Sequence, residues 1–179
     1  PTLDGLVREE EWASASLLET LKNDLNGEAY NSPDLAVRAG YRGDSVYVSI
    51  TRALTGDYPV ATLTDSIDEE QSDDVIELTL AAPPYDRVVP ENRLQIRINA
   101  LGIVECAKNV CRAVSHLTEN VWEIEVAIST EAVRPYRRFN IAVVSPGDTS
   151  PRLAWSVTYG DPHNPGRFGD LRLEGVDSE

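Results

Sequence analysis

Apolar and polar residues alternate with a period of two along most of this 179-residue chain. Trp122, Ile124 and Val126, for example, alternate with Glu123 and Glu125. This period is typical of a β-strand with one buried face and one polar face. On this basis we predict strands at residues 35–39, 46–50, 75–80, 94–99, 111–116, 122–128, 139–143, 153–157 and 171–173.

Polar turn segments separate the predicted strands, and helix signals are few. We expect short helical turns around residues 9–12, with Asp4 as a candidate N-cap, and around residues 129–133. Neither turn belongs to a strand–helix–strand repeat, which a parallel sheet would require. The pattern therefore predicts an all-β fold, an antiparallel β-sandwich with immunoglobulin- or jelly-roll-like layers and one or two short helical turns.

Length and charge limit the organisation of the chain and its partners. With 41% apolar residues, the chain has enough material for one well-buried core, so we expect residues 1–179 to form a single domain. A net charge of -14 would repel a phosphate backbone, so we expect no nucleic acid partner. No apolar run approaches the roughly 20 residues of a membrane-spanning helix. The sequence begins with Pro1 and contains no methionine, which suits either a processed protein or a module of a larger protein, and we expect a module with neighbouring domains.

The two cysteines, Cys106 and Cys111, are separated by four residues. This spacing suits a small loop closed by a disulfide, with two unpaired thiols or a metal site as the alternatives. A tetrahedral zinc site would need two further soft ligands, and only His116 is near in sequence. Because a disulfide requires an oxidising compartment, we expect an extracellular or periplasmic location.

The end of the chain carries a specific wording, Trp155-Ser156 followed by Pro165-Gly166-Arg167-Phe168-Gly169-Asp170-Leu171-Arg172-Leu173. It resembles the closing segment of the family 9 carbohydrate-binding modules, in which a Trp-Ser pair precedes a Pro-x-x-Phe-Gly-x-Leu-x-Leu strand. Further resemblances occur in the family's order at Leu3-Asp4-Gly5, Glu11-Trp12, residues 45–50, 74–78, 97–99 and 122–128, and Phe139-Asn140-Ile141. The resemblance implies a non-catalytic, sugar-binding β-sandwich within an exported, multidomain protein, with a polysaccharide or oligosaccharide as its partner.

The family comparison also implies polar ligands for the sugar. In sugar-binding members an Arg, an Asn, a Glu and a Gln form hydrogen bonds with the sugar hydroxyls. By resemblance these positions are Arg97, Asn99 and Glu77, while the Gln position is Ala142. Arg97 and Asn99 are two residues apart on one predicted strand and therefore share a face. The alternative for Arg97 and Glu77 is an ion pair between neighbouring strands.

Two tryptophan rings clamp the sugar in these modules, and this chain has neither. The clamp positions fall near Gln71 and near Pro162 or His163. Candidate replacement rings in nearby loops are Tyr58, Tyr85, Tyr159 and His163, each with the alternative of a partly exposed loop aromatic. The tryptophans that are present are expected to lie in the core: Trp12, Trp122 and Trp155.

The resemblance implies structural calcium as well. Calcium takes carboxylate and carbonyl oxygens, and one acidic loop offers Asp68, Glu70, Asp73 and Asp74 as ligands. No EF-hand spacing is present, and a solvated charge run is the alternative.

Two other functions remain open. A structural or protein-interaction module that has lost its aromatic clamp would explain the missing tryptophans. A remote alternative is a haem-binding electron-transfer domain, which in this methionine-free chain would need His116 and His163 as its two axial ligands. No nucleophile elbow, phosphate loop or zinc-protease motif accompanies these histidines, so we expect no enzyme activity.

Overall fold

A computed structural model of the chain describes residues 1–18, 21–30, 35–54, 59, 61, 67, 73–86, 92–106, 110–145 and 152–172. The strands within these residues are β1 Ser16–Leu18, β2 Lys22–Asn23, β3 Leu35–Arg42, β4 Ser45–Ala53, β5 Val75–Ala81, β6 Arg93–Asn99, β7 Val104–Glu105, β8 Cys111–Leu117, β9 Val121–Ser129, β10 Arg138–Val144, β11 Leu153–Ala154 and β12 Gly169–Asp170. The helices are α1 Glu9–Trp12 and α2 Thr130–Val133, with a 3-10 turn at Pro165–Arg167. None of the helices described is long and apolar enough to cross a membrane.

The strands form two sheets. The five-stranded sheet has the order β1-β3-β4-β9-β8, and the seven-stranded sheet has the order β2-β11-β10-β5-β6-β7, with β12 also paired to β10. Every pairing between these strands is antiparallel. The predicted all-β antiparallel sandwich with two short helical turns is confirmed.

One hydrophobic core fills the space between the two sheets. From the five-stranded sheet, β9 contributes the alternate residues that the sequence pattern predicted, and from the seven-stranded sheet β5, β6 and β10 do the same. These fully buried side chains are Trp122, Ile124, Val126, Ile128, Ile76, Leu78, Leu80, Ile96, Ile98 and Ile141. Since alternate residues of a strand point to opposite sides, the intervening polar residues lie on the outer faces of the sandwich.

Three local predictions were wrong in detail. Asp4 does not cap α1, because its carboxylate accepts the Leu6 N–H at 3.0 Å and pairs with Arg8. The strand predicted at residues 153–157 ends at Ala154. The final strand is Gly169–Asp170, so Leu171 follows it, and Leu173 lies outside the described residues.

A side chain explains the early end of β11. The Asn140 Oδ1 accepts the backbone N–H of Ser156 at 2.9 Å, and the Asn140 Nδ2 donates to the Ser156 carbonyl at 2.9 Å. The amide of Asn140 therefore takes the place that the backbone of β10 would occupy in a continued ladder. The alternation of apolar and polar residues does not show that the Asn140 side chain replaces backbone hydrogen bonds here.

The N-terminal segment covers the outer face of the five-stranded sheet. The Glu125 carboxylate on this face accepts the backbone N–H groups of Asp4 at 3.1 Å and Gly5 at 3.0 Å. It also accepts the Trp12 indole N–H at 3.1 Å. Glu125 and Trp12 are both buried as a result. The sequence pattern placed Glu125 outward correctly, but it did not predict that the segment would cover this side chain.

Gly169 permits Trp155 to close one end of the core. Trp155 packs against Phe139, with ring centroids 5.9 Å apart. A Cβ added at Gly169 would lie 2.2 Å from the Trp155 Cζ3. The glycine of the Phe-Gly pair near the end of the chain is therefore required by the indole ring that lies against it.

We expect the Gly169→Ala substitution to lower the free energy of unfolding by about 1–3 kcal/mol, the usual cost of overpacking. Chemical denaturation monitored by circular dichroism measures this change. Gly40→Ala is the matched control, because its added Cβ would lie 3.4 Å from the Ala15 Cβ in near-ordinary contact. Equal stabilities of the two variants would show that Trp155 does not depend on Gly169.

Candidate functional site

Polar side chains gather on the outer face of the seven-stranded sheet, where the family resemblance placed the sugar ligands. Glu77 on β5 lies directly opposite Arg97 on β6, and Asn99 lies opposite Val75, two residues farther along. Side chains opposite each other in an antiparallel pair are about 5 Å apart at Cβ. The register therefore brings Glu77, Arg97 and Asn99 together, while their role as sugar ligands stays a prediction.

Arg97 is the most accessible of these three residues. Its Nη2 donates to the Glu105 Oε2 on β7, the adjoining edge strand. The other Glu105 oxygen accepts the backbone N–H of Ile67 at 3.1 Å. This pair fixes the guanidinium near the edge of the sheet, where part of its surface reaches solvent.

Asn99 is fully buried, and its amide groups stabilise the turn that follows β6. Its Oδ1 accepts the Ile103 N–H at 2.9 Å, and its Nδ2 donates to the Asp73 Oδ2 at 3.0 Å. Because Asn99 is 0% exposed, a sugar could reach its amide only if neighbouring residues moved.

Glu77 is buried and shares an arginine with a second buried carboxylate. The Arg152 Nη2 donates to the Glu77 Oε1 at 2.9 Å, and the Arg152 Nε lies 3.5 Å from the Asp24 Oδ2. The Thr79 hydroxyl also donates to the Glu77 Oε1, at 3.2 Å. Although Arg97 and Glu77 lie opposite each other, Arg97 forms an ion pair with Glu105, and Glu77 forms one with Arg152.

Sequence reasoning missed Arg152 and Asp24. Both follow from strand pairing, because β11 joins β10 to the short strand β2, and the Asp24 N–H donates to the Arg152 carbonyl at 2.9 Å. A two-residue strand leaves no periodic pattern in the sequence. The only signal was the arginine itself, which follows a Pro- and Ser-containing segment of an acidic chain.

His163 lies at the other end of β6 from Asn99. Its Nδ1 is 2.7 Å from the Nη1 of Arg93, the first residue of β6. A guanidinium only donates, so the Nδ1 is the acceptor in this contact. The exposed ring is therefore beside the strand that carries Arg97, and its contact with sugar stays a prediction.

The predicted calcium ligands divide into two groups. Asp68 and Glu70, like the clamp position Gln71, lie outside the described residues. Asp73 is buried and accepts from Asn99, whereas Asp74 accepts from the Ser145 hydroxyl at 2.5 Å and lies 3.5 Å from Arg52. Within the described part of the chain no three metal-ligating side chains come together. Calcium binding therefore stays a prediction.

The two histidines lie on opposite outer faces of the sandwich. His116 pairs in register with Glu123 on the outer side of the five-stranded sheet, whereas His163 contacts Arg93 on the seven-stranded sheet. Because the whole core separates them, this arrangement does not fit a haem held by both rings.

Cys106 and Cys111 form the predicted disulfide, and neither thiol is free. The bond closes the connection between β7 and β8, which belong to different sheets.

Comparison with known proteins identifies the fold. No family model matches the sequence, and no curated protein matches it. A solved family 9 carbohydrate-binding module from Caldicellulosiruptor kristjanssonii, in complex with cellotriose, matches with a TM-score of 0.70 and 16% identity over 99% of this chain and 91% of that chain. The chain has the family 9 fold.

Two further solved structures match the fold of this chain. A structure of a module of the same description in complex with glucose has a TM-score of 0.69 and 16% identity, covering 100% of this chain and 94% of that chain. A candidate carbohydrate-binding protein from Bacteroides uniformis has a TM-score of 0.62 and 16% identity, covering 90% and 87%. The resemblance inferred from the sequence motifs is thereby confirmed for the fold.

The three tryptophans lie in the core or against it, as predicted. Trp12 and Trp122 are buried, and Trp155 is partly buried against the core. The Trp122 indole donates to the Ser115 hydroxyl at 2.9 Å. The Trp12 and Trp122 rings are therefore not available as open stacking surfaces.

Proposed function

We propose that the chain is a non-catalytic module that binds carbohydrate through the outer face of the seven-stranded sheet. The observation that carries this proposal is the match over nearly the whole chain to a module whose structure holds cellotriose. A gluco-oligosaccharide is accordingly the first ligand class to test.

The outer face offers suitable chemistry for a sugar. Hydroxyl groups need fixed donors and acceptors, which Arg97, Glu77 and Gln95 supply on adjacent strands. Their strands belong to a hydrogen-bonded sheet, so the groups are held in place before a ligand arrives.

Export and a multidomain parent are part of the same proposal. The Cys106–Cys111 disulfide supports an oxidising compartment such as the extracellular space or periplasm. A non-catalytic binding domain acts by holding a neighbouring domain close to a polymer. The neighbouring domains are therefore expected to act on polysaccharides.

A protein-interaction module is the second candidate. It is favoured by the burial of Asn99 and Glu77, whose polar groups are already bonded within the protein. In that case the seven-stranded sheet would have kept the fold and lost the sugar site.

Arg97→Ala tests the proposed site. If the Arg97 guanidinium bonds to sugar hydroxyls, the dissociation constant for cellotriose should rise at least tenfold, since a charge-assisted hydrogen bond contributes about 1.5–3 kcal/mol. Isothermal titration calorimetry measures the affinity, and a thermal melt confirms that the variant folds.

Arg112→Ala is the matched control for this test, because Arg112 is an exposed arginine on the opposite sheet. Its affinity for cellotriose should equal that of the wild type. Unchanged affinity in the Arg97 variant would place the binding site elsewhere.

A further inference from the structure

Tyr159 stands out on the surface by its exposure and its backbone. The residue is 57% exposed, although a ring of this size usually stabilises a protein by being buried. Its φ of 57° is in the left-handed region, and among the described residues it is the one non-glycine residue there. Such a backbone costs on the order of 1–3 kcal/mol and persists where neighbouring contacts hold it.

Asp24 provides those contacts on both sides of Tyr159. The Thr158 N–H donates to the Asp24 Oδ1 at 2.5 Å, and the Thr158 hydroxyl donates to the Oδ2 at 2.7 Å. The N–H of Gly160 donates to the Asp24 carbonyl at 3.1 Å. Asp24 and Thr158 are buried, so the ring of Tyr159 projects from a fixed base.

The surroundings of the ring combine apolar and cationic groups. The Arg167 guanidinium lies over the ring, 4.9 Å from its centroid, so a ligand would stack on the other face. Leu25, which is 70% exposed, lies beside Gly160, since a Cβ on Gly160 would be 3.2 Å from the Leu25 Cδ1. A flat apolar surface next to hydrogen-bond donors matches a pyranose ring, which has C–H faces and hydroxyl edges.

Arg152 connects this surface to the proposed sugar site. One guanidinium reaches both the Glu77 Oε1, at 2.9 Å, and the Asp24 Oδ2, at 3.5 Å. Asp24 in turn holds Thr158, the residue before Tyr159. The Tyr159 surface therefore adjoins the polar face on its β2 side, opposite the β7 edge where Arg97 pairs with Glu105.

The other candidate rings are less suitable. Tyr85 also has a guanidinium over its ring, that of Arg138, but it is only partly exposed, whereas Tyr159 is 57% exposed. The His163 ring is bonded to Arg93. Tyr58 lies outside the described residues.

We propose that the Tyr159 ring is a stacking platform for one sugar unit of an oligosaccharide whose other units occupy the polar face near Glu77 and Arg97. Arg167 holds the ring from the face opposite the stacked unit. This inference rests on the function proposed above. It assigns the role of the missing clamp ring to a residue at a different position, and it predicts a preference for oligosaccharides over monosaccharides.

Tyr159→Ala should weaken binding of cellohexaose about tenfold, since the stacking and buried area of one ring are lost. Binding of glucose, which fills only the polar face, should change by less than twofold. Tyr159→Phe should retain the affinity for cellohexaose. Tyr41→Ala is the control, because Tyr41 is a similarly exposed tyrosine on the five-stranded sheet and should have no effect.

Tyr159→Gly separates a binding role from a structural one. Glycine adopts a positive φ without strain, so this variant should melt at the wild-type temperature or above it. Its affinity for cellohexaose should nevertheless fall about tenfold. A lower melting temperature with unchanged affinity would assign the tyrosine a structural role and overturn the inference.

The two proposals fail differently in calorimetric titrations. If the wild type binds cellohexaose and the alanine variant binds it equally well, the platform is wrong and the proposed function stands. If the wild type binds neither glucose nor cellohexaose, the proposed function and the platform are both wrong.

Discussion

Replacing Arg152 with methionine is expected to lower the free energy of unfolding by about 3–5 kcal/mol. This arginine is the cation beside two buried carboxylates, Glu77 and Asp24, whose side chains are 5% and 3% exposed. Removing it leaves two negative charges close together with little water to solvate them. Urea denaturation followed by circular dichroism measures the loss.

Two further variants make this test specific. Arg38→Met removes an ion pair to Glu9, whose side chain is 80% exposed, and should cost at most about 1 kcal/mol. Adding Glu77→Gln to the Arg152→Met protein should restore part of the stability, because one buried charge is gone. An Arg152→Met protein as stable as the Arg38→Met protein would contradict the ion-pair network.

The Glu125→Ala substitution is expected to have the second large effect, a loss of about 3 kcal/mol or more. Three N–H donors lose their acceptor, and each buried donor without a partner costs about 1–3 kcal/mol. The N-terminal segment should detach from the sheet, since Glu125 joins Asp4, Gly5 and Trp12 to it. Hydrogen exchange of the first 15 residues and the Trp12 indole resonance should report this release.

Glu123→Ala is the control on the same strand and the same face. Its carboxylate accepts one N–H, that of Val7 at 3.3 Å, so its loss should cost about 1 kcal/mol. If the Glu125 and Glu123 variants lose equal stability and the N-terminal segment stays protected from exchange, Glu125 is not the anchor.

Glu125 should also make stability depend on pH. Burial raises the pKa of its carboxyl above the usual glutamate value of 4.5, despite the hydrogen bonds from Asp4, Gly5 and Trp12, which lower it. Since the folded-state pKa exceeds the unfolded one, the stabilising contribution is complete below pH 4.5 and is lost as pH rises through the folded pKa. As pH rises over that range, the wild type should therefore lose stability relative to the Glu125→Gln variant. A difference that is constant with pH would contradict the raised pKa.

The fold was predictable because its signal is periodic. Alternation placed Trp122 and Ile124 inward and Glu123 and Glu125 outward, and the structure confirms all four. The sequence motifs then distinguished one sandwich family from others. The glycine of the Phe-Gly motif is informative because a side chain at Gly169 would clash with the Trp155 ring. Strand ends were less predictable because a single side chain can end a ladder, as in β11.

The candidate site was only partly predictable. The shared face of Arg97 and Asn99 followed from the alternation along β6, whereas Glu77 was indicated by the family resemblance and lies opposite Arg97 through the pairing of β5 with β6. Arg152 comes just before β11 and Asp24 just after β2, and each of these strands has only two residues. The pairing of the two strands brings these residues together, and periodicity does not predict it. The burial of Asn99 could not be foreseen either, because it depends on the turn to Ile103 and on Asp73.

Titration of the ¹⁵N-labelled protein with cellotriose tests the central claim most directly. The account predicts saturable amide shift changes that cluster on the outer face of the seven-stranded sheet, at Glu77, Thr79 and Arg97. The amides of β8 and β9 on the opposite sheet should not change. Absence of shifts with cellotriose and with longer glucan or xylan oligosaccharides, or shifts confined to the five-stranded sheet, would contradict it.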